Sequence, residues 1–339
     1  MNYSLLSKYR SELMGIAMLW VMLFHAWDLN MGHPLLEWFR AAGFGGVDIF
    51  ILLSSMGLLM SLSKREQDYS SFMARRAGRI LPAYYIVMVP YTLFLILAQG
   101  KAWSALLWNS TLLYYWMRSS GAFNWYIAGA MTFYAITPFC FRTLRDSKHR
   151  LGLTGVAIFL SFALCRLLVR EGYWYVMDVF YRVPVFFLGL LMGFFVLEGR
   201  KLTKADLLFW TFWLALGGGY LYASQQVDQS VFPLPLCHLF LFTTVPMSLG
   251  LGLTFDKLPL GWLRKFLRLV GENSLEIYLF NVSVFSQTEL LRRFISFGPS
   301  NRLYYLMLFA INIALGVALH SVVEKRTARL KAVSAAGKD

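Results

Sequence analysis

Ten long apolar stretches recur along this chain and limit what it can fold into. Each is close to the ~20 residues that a helix needs to cross the hydrocarbon core of a bilayer. No water is present there, so a crossing segment must satisfy its own backbone hydrogen bonds, as an α-helix does. The pattern predicts an all-α, polytopic membrane bundle of about ten transmembrane helices, near residues 12–29, 43–62, 80–98, 122–141, 152–170, 179–197, 207–223, 232–254, 269–288 and 303–323.

The composition agrees with a membrane protein and excludes several other classes. Of the 339 residues, 58% are hydrophobic and 15% are charged, whereas a typical soluble domain is about 25% charged. This excludes a disordered chain, a disulfide scaffold and an ordinary cytosolic enzyme. The three cysteines, Cys140, Cys165 and Cys237, lack CxxC or metal-ligand spacing and lie in apolar stretches, so they are expected to act as small apolar residues.

The basic residues are distributed unevenly along the chain and predict its orientation. The net charge is +14, from 32 lysines and arginines against 18 acidic residues. With the N-terminus in the cytoplasm, 23 of the 32 basic residues fall in cytoplasmic segments and 8 in outer loops, as the positive-inside rule describes. We therefore expect both termini in the cytoplasm, and we interpret the basic excess as topology rather than as nucleic-acid binding.

Three of the ionisable residues within predicted spans or at their ends are candidates for function, because charge is costly there and often functional. His25, in the outer half of the first span, suits a general base, although a hydrogen bond between helices also explains it. Asp48, near the outer start of the second span, could orient the His25 ring or stabilise a helix N-terminus. Arg182, at the outer end of the sixth span, either snorkels to the interface or contacts a ligand or Asp48.

An arginine cluster precedes the third span on its cytoplasmic side. Arg75, Arg76 and Arg79 form the pattern Arg-Arg-x-x-Arg, and the spacing of three puts Arg76 and Arg79 on one helical face. Charge anchoring at the membrane surface explains the cluster. Guanidinium groups also bind phosphates in a bidentate fashion, so a phosphate site is the alternative.

The other polar residues of the spans are expected to be structural. Glu276 and Asn281, in the ninth stretch, can form hydrogen bonds between helices. His238 and His320 have no partner that the sequence reveals. The apolar segments contain no metal-ligand constellation, P-loop, Gly-x-Ser-x-Gly or dinucleotide motif, so no metal site is predicted.

The order of several segments resembles that of acyltransferase family 3, the integral-membrane acyltransferases that modify bacterial surface sugars. Residues 15–25 are similar to the family's first helix, which ends in a catalytic histidine, here His25. The Gly-Val-Asp at 46–48 and the Arg-Arg-x-x-Arg-Ile-x-Pro at 75–82 are similar to two further family elements. The remaining matches are Trp125, Tyr126, Tyr134, Pro138, Arg182, Phe186, Gly189, the stretch 271–279 and Glu324.

Three places depart from the family pattern. One is Ser54-Ser55-Met56, where the family usually has Ser-Gly-Phe. The family has an arginine eleven positions before the histidine, where this chain has Met14, and Arg10, one turn earlier, is a candidate to reach the same region. Asn281 stands where many members have a histidine. These departures leave open a changed donor or acceptor, or a non-catalytic member that acts as a partner of a polysaccharide assembly complex.

The resemblance implies a membrane acyltransferase domain over residues 1–327 and a polar cytoplasmic tail over 328–339, in the cell membrane. It implies transfer of an acyl group, most often acetyl from acetyl-CoA, to a hydroxyl of a glycan or glycolipid on the outer face, with no metal. The acyl-CoA would approach from the cytoplasm. A sugar-lipid transporter or flippase is the alternative class, although the sequence shows no repeat symmetry of the kind that many transporters have.

The resemblance also implies roles for individual residues. His25 would remove the proton of the acceptor hydroxyl, and Asp48 would orient the ring or stabilise its charged form. The phosphates of CoA would bind Arg75, Arg76 and Arg79. The candidates for contact with the substrate are Arg182, Trp125, Tyr126 and Asn281.

Overall fold

The computed structural model of this chain describes residues 2–65, 67–117, 123–226, 235–285 and 301–336, and these residues are almost entirely helical. Sixteen α-helices and no strand occur in the described part, which confirms the predicted all-α class. In chain order they are α1 (Leu5–Lys8), α2 (Arg10–Phe24), α3 (Pro34–Ala41), α4 (Gly46–Lys64), α5 (Tyr69–Gln99), α6 (Ser104–Ser110), α7 (Leu113–Trp116), α8 (Trp125–Arg145), α9 (Arg150–Arg170), α10 (Met177–Phe180), α11 (Val183–Leu197), α12 (Lys204–Gln226), α13 (Leu239–Lys257), α14 (Gly261–Glu272), α15 (Ser274–Val282) and α16 (Asn301–Ala336).

Several helical segments are long and apolar enough to cross a membrane, as a multi-pass protein requires. Among the described residues there are six of them, so the prediction of about ten spans is confirmed only in part. The last helix, α16, continues to Ala336 and includes much of the predicted tail, 328–339. The six segments are Pro34–Lys64, Tyr69–Gln99, Arg150–Arg170, Trp174–Leu197, Leu236–Lys257 and Arg302–Ala328.

The other four predicted spans are helical but differ from a simple crossing. α2 has 15 residues, which is shorter than the ~17–25 that a crossing helix uses. α8 and α12 are long enough to cross a membrane, but they are less apolar than the six segments given above. The ninth predicted span, 269–288, is broken at Asn273, because α14 ends at Glu272 and α15 begins at Ser274. Its last residues, 286–288, lie outside the described part.

The centre of the bundle contains α2, α4 and α11, and glycines bring two of these helices together. Gly189 and Gly193 of α11 lie four residues apart and face α4, as small residues do at close helix crossings. A Cβ on Gly189 would lie 1.9 Å from Ser55 Oγ and 2.5 Å from the backbone oxygen of Leu52. α9 and α16, in contrast, expose most of their apolar side chains, as lipid-facing helices do.

α2 crosses α14 with equally close backbones. A Cβ on Gly15 would lie 2.0 Å from the backbone oxygen of Leu267, and one on Gly271 would lie 1.8 Å from that of Ser11. After this crossing the chain turns at Asn273 and enters α15, which packs beside α2. The crossing therefore decides which residues of α15 face the C-terminal end of α2.

Substitution Gly189→Ala is expected to destabilise the fold by about 1–3 kcal/mol, because the added methyl group overpacks the contact with α4. Gly155→Ala is the matched control. Gly155 lies within α9 and a Cβ there would meet nothing within 4 Å, so the higher helix propensity of alanine is the main effect. The unfolding temperatures of the two variants, purified in detergent, are compared with each other. Equal unfolding temperatures would show that α4 and α11 do not meet at this glycine.

Candidate functional site

His25 directly follows α2 and is held by a side chain from α15. Its Nδ1 lies 2.5 Å from Oδ1 of Asn281. An amide oxygen accepts hydrogen bonds and cannot donate, so Nδ1 carries the proton and donates it. The other ring nitrogen, Nε2, then keeps a lone pair, and it forms no hydrogen bond within the described part of the chain. This is the form of histidine that a general base requires.

His25 and Asn281 line a narrow pocket between α2, α15 and α16. The pocket is mostly apolar and aromatic, with a third polar residue, Asn312, in its wall. Its free volume is about 10 Å³, which is room for about one water molecule. The remaining lining residues are Met22, Ala26, Phe285, Tyr305, Leu308 and Phe309.

Asp48 lies in the first turn of α4 and pairs with Arg182. Its Oδ2 lies 3.6 Å from Nε of Arg182, and the two residues are 0% and 2% exposed. The Arg182 guanidinium also lies 4.8 Å from the centre of the Trp125 ring. The expected contact between Arg182 and Asp48 is therefore observed, whereas the partner of the His25 ring at Nδ1 is Asn281 rather than Asp48.

Tyr126 lies at a second narrow pocket, which Tyr134 also lines and whose free volume is about 10 Å³. The Tyr126 ring centre lies 5.0 Å from that of Tyr278. Tyr278 is on α15, about one turn before Asn281. Packed side chains therefore lie between the second pocket and Asn281. The other residues that line it are Ile51, Ser54, Ser55, Leu58, Ala130, Phe133 and Phe186.

Three arginines, Arg10, Arg76 and Arg79, gather at the N-terminal end of α2, and we call them the basic cluster. Arg10 donates from Nε to the backbone oxygen of Leu53 at 3.2 Å, and its guanidinium interacts electrostatically with those of Arg76 and Arg79. Arg10 thus reaches the arginines of α5, as the sequence suggested for a residue one turn before Met14. The 15 residues of α2 separate this cluster from His25 by about 22 Å.

α5 holds the predicted arginines in different environments. The helix begins after Asp68, whose side chain accepts a hydrogen bond from the backbone N–H of Ser71. Arg76 donates from Nη2 to Ser61 Oγ at 2.9 Å and is half-buried. Arg75 and Arg79 are both exposed. Arg75 donates from Nε to the backbone oxygen of Ser71 in its own helix, whereas Arg79 interacts electrostatically with Arg10.

The basic cluster lacks a neutralising partner. Within the described residues, no carboxylate lies within salt-bridge distance of its three guanidinium groups. Two other cations at this end of the bundle are paired, since Lys8 lies 2.6 Å from Asp256 and Arg268 lies 2.7 Å from Glu12. Like charges that are held together without counter-charges form a site for an anion.

The structure shows contacts whose partners the sequence did not identify. Glu276 forms the expected hydrogen bond between helices, and its partner is His320, with His320 Nδ1 and Glu276 Oε1 3.0 Å apart. Tyr278 and Asn312 were not singled out, because a lone tyrosine or asparagine in an apolar stretch carries no distinctive pattern. Only the structure identifies them, because both have buried polar atoms without a hydrogen-bond partner among the described residues.

Removing one partner of the Asp48–Arg182 pair is expected to destabilise the fold. Asp48→Leu should cost about 3–5 kcal/mol, because it leaves a buried guanidinium without its counter-charge. In the double variant Asp48→Leu/Arg182→Met, both charges are replaced by apolar side chains, so much of this loss should be recovered. Thermal unfolding of Asp48→Leu, Arg182→Met and the double variant in detergent forms a double-mutant cycle. Losses of stability that add up in the double variant would show that the two residues are not coupled.

Comparison with known proteins connects this geometry to a family. Within the described residues, no group of three or more His, Cys, Asp or Glu side chains is placed to hold a metal ion. Searches among curated proteins and among solved structures each return no match. The family model of acyltransferase family 3, described as an acyltransferase domain, matches residues 13–321. This match covers nearly the whole chain and includes His25, Asp48, the arginines of α5 and Asn281, and the chain therefore belongs to acyltransferase family 3.

Proposed function

We propose that this protein is a membrane O-acyltransferase that uses cytoplasmic acyl-CoA, acetyl-CoA in the first instance, to acylate a hydroxyl of a surface polysaccharide or glycolipid. The observation that carries the proposal is the hydrogen bond between His25 and Asn281. It leaves the Nε2 lone pair of His25 available in a small pocket, as general-base catalysis requires. Family membership supports acyl transfer as the class of reaction.

The basic cluster supports acyl-CoA as the donor. Its arginines have no carboxylate partner among the described residues, and CoA carries phosphates that guanidinium groups bind well. The positive-inside distribution of basic residues predicts that this end of the bundle faces the cytoplasm, where we expect acyl-CoA to be supplied. Arg75, which is exposed on α5, would add to the positive potential around this site.

Tyr126 lies between the basic cluster and α15. Tyr126 and Tyr134 line the second pocket, and both interact electrostatically with Arg10. Tyr126 also contacts Tyr278, which precedes Asn281 on α15. In the proposal, these side chains move apart to admit the acylated arm of CoA, while its phosphates stay at the basic cluster.

In this mechanism His25 moves one proton. Nε2 accepts the proton of the acceptor hydroxyl as the hydroxyl oxygen attacks the thioester carbonyl carbon. The new C–O bond forms, the C–S bond breaks, and the proton passes from Nε2 to the departing thiolate. Asn281 keeps its hydrogen bond to Nδ1–H throughout, so it holds the ring in place and stabilises the imidazolium form.

The Asp48–Arg182–Trp125 group completes the proposed site. Asp48 fixes the Arg182 guanidinium, which lies over the Trp125 ring. In the proposal, Arg182 and Trp125 contact the substrate, and Asp48 contributes negative charge near the reaction. Arg182 also interacts electrostatically with Tyr278 of α15.

Substitution His25→Ala is expected to abolish acylation, because no other base is proposed in the pocket. Mass spectrometry of surface glycans from cells that express the parent or the variant measures the acyl content, relative to cells without the protein. His33→Ala is the control, since His33 is an exposed histidine at the N-terminus of α3. Parental acylation with His25→Ala would exclude His25 as the base, and a parent that adds no acyl group would contradict the proposed function.

Substitutions Arg10→Ala, Arg76→Ala and Arg79→Ala are each expected to weaken CoA binding about tenfold or more, because each removes a charged hydrogen-bond donor to phosphate. Binding of CoA to the purified proteins, measured at low and high salt, tests this. The difference in CoA affinity between each variant and the parent should become smaller as the salt concentration rises. Lys148→Ala, in an exposed loop position between α8 and α9, serves as control. Unchanged CoA affinity in all three arginine variants would exclude the phosphate site.

A further inference from the structure

The helix α14 has apolar side chains on two opposite faces, and only one of these faces packs against the bundle. On the packed face, Leu267 and Gly271 are buried where α14 crosses α2. On the other, which we call the exposed face, Trp262, Phe266 and Leu269 follow the helical spacing of four and three residues. Their exposed fractions are 77%, 39% and 43%. The exposed face therefore presents apolar surface to the surroundings of the bundle.

The length and the charge of α14 differ from those of a membrane-crossing helix. It has 12 residues, or about 18 Å, whereas a crossing needs ~20 residues. Arg264, Lys265, Arg268 and Glu272 are charged, and charge is costly at the centre of a bilayer. A short helix that combines charged residues with an apolar face containing tryptophan is typical of the membrane surface, where it lies in the plane of the interface.

The neighbours of α14 indicate which membrane surface this is. α13 ends at Lys257, and the preceding residue, Asp256, lies 2.6 Å from Lys8 and accepts a hydrogen bond from Tyr9. Lys8 and Tyr9 directly precede α2, so α14 begins at the end of the bundle that holds the basic cluster. Tryptophan is enriched at membrane interfaces, and Trp262 is the second residue of α14.

A lysine on the exposed face of α14 has no counter-charge from the protein. Lys265 is exposed and lies three residues after Trp262. The two arginines of the helix, Arg264 and Arg268, lie 3.8 and 2.7 Å from Oε1 of Glu12. Within the described residues, no carboxylate lies within salt-bridge distance of Lys265. A cation beside an apolar strip is complementary to an anionic phospholipid, whose charged headgroup adjoins its acyl chains.

We propose that the exposed face of α14 binds an anionic phospholipid of the adjacent membrane leaflet. Lys265 contacts the headgroup, and Trp262, Phe266 and Leu269 pack beside the upper part of the acyl chains. The bound lipid stabilises the crossing of α2 and α14, because Gly271 forms that crossing on the packed face of the same helix. This binding involves neither acyl transfer nor CoA.

Substitution Lys265→Glu tests the contact with the headgroup. Phosphatidylglycerol, which is anionic, should raise the unfolding temperature of the parent in detergent micelles by about 2 °C or more. Phosphatidylcholine, which has no net charge, should raise it less. Lys265→Glu should lose most of the additional rise with phosphatidylglycerol, and high salt should reduce that rise in the parent. Lys148→Glu, the same change in an exposed loop, is the matched control and should behave as the parent does.

Substitution Trp262→Ser tests the apolar contact. Because Trp262 is exposed, the variant should unfold at the parental temperature without added lipid, and phosphatidylglycerol should raise that temperature less than it does in the parent. Trp262→Phe, which keeps an aromatic ring, should retain most of the rise.

Three results would overturn the proposal. One is an equal rise of the parental unfolding temperature with both phospholipids, or no rise with either. Another is an undiminished rise with phosphatidylglycerol in both Lys265→Glu and Trp262→Ser. The third is a parental dimer that Trp262→Ser converts to a monomer, measured by light scattering in detergent, because a second copy would then cover the exposed face.

Discussion

The close crossing of α2 and α14 is the contact on which the candidate site depends. Gly15 and Gly271 let the two backbones approach so closely that a methyl group on either glycine would overlap a carbonyl oxygen. Past this crossing the chain turns at Asn273 and α15 begins. A larger separation between α2 and α14 would shift α15 away from α2. The hydrogen bond between Asn281 and His25 would then be lost, because it depends on the distance between α15 and α2.

A second constraint comes from the low dielectric of the bundle interior. Asp48 and Arg182 are both fully buried, and each would be strongly unfavourable there without the other. Their pairing joins α4 to the segment that precedes α11, close to the glycine crossing of those two helices. The charges of this pair are therefore part of the structure of the bundle, and they also fix the position of the arginine beside Trp125.

The unpaired arginines and the proposed base lie at opposite ends of α2. At one end, Arg10, Arg76 and Arg79 have no carboxylate partner within the described residues, while two nearby cations, Lys8 and Arg268, are paired. At the other end, about 22 Å away, the Nε2 of His25 forms no hydrogen bond among the described residues. This separation agrees with the proposed function, in which the donor phosphates bind at one end and the acceptor hydroxyl reacts at the other.

Hydropathy and charge by themselves determined the helical class, the membrane location and the approximate place of the long helices, because these depend on local sequence. The same local signal overestimated the number of simple crossings, since it did not show that Asn273 interrupts the ninth stretch or that α2 ends at Phe24. His25, Asp48, Arg182 and the arginines of α5 stood out in sequence because charge in or near an apolar span is rare. The contact of Arg182 with Asp48 was among those expected, but the contact of His25 with Asn281 was not. Asn281 lies 256 residues from His25 in the chain, and only helix packing decided that it, rather than Asp48, holds the ring. Packing likewise brought Arg10 to the arginines of α5 and Asn312 into the pocket, because contacts between distant helices depend on the crossings between them and not on the sequence around each residue.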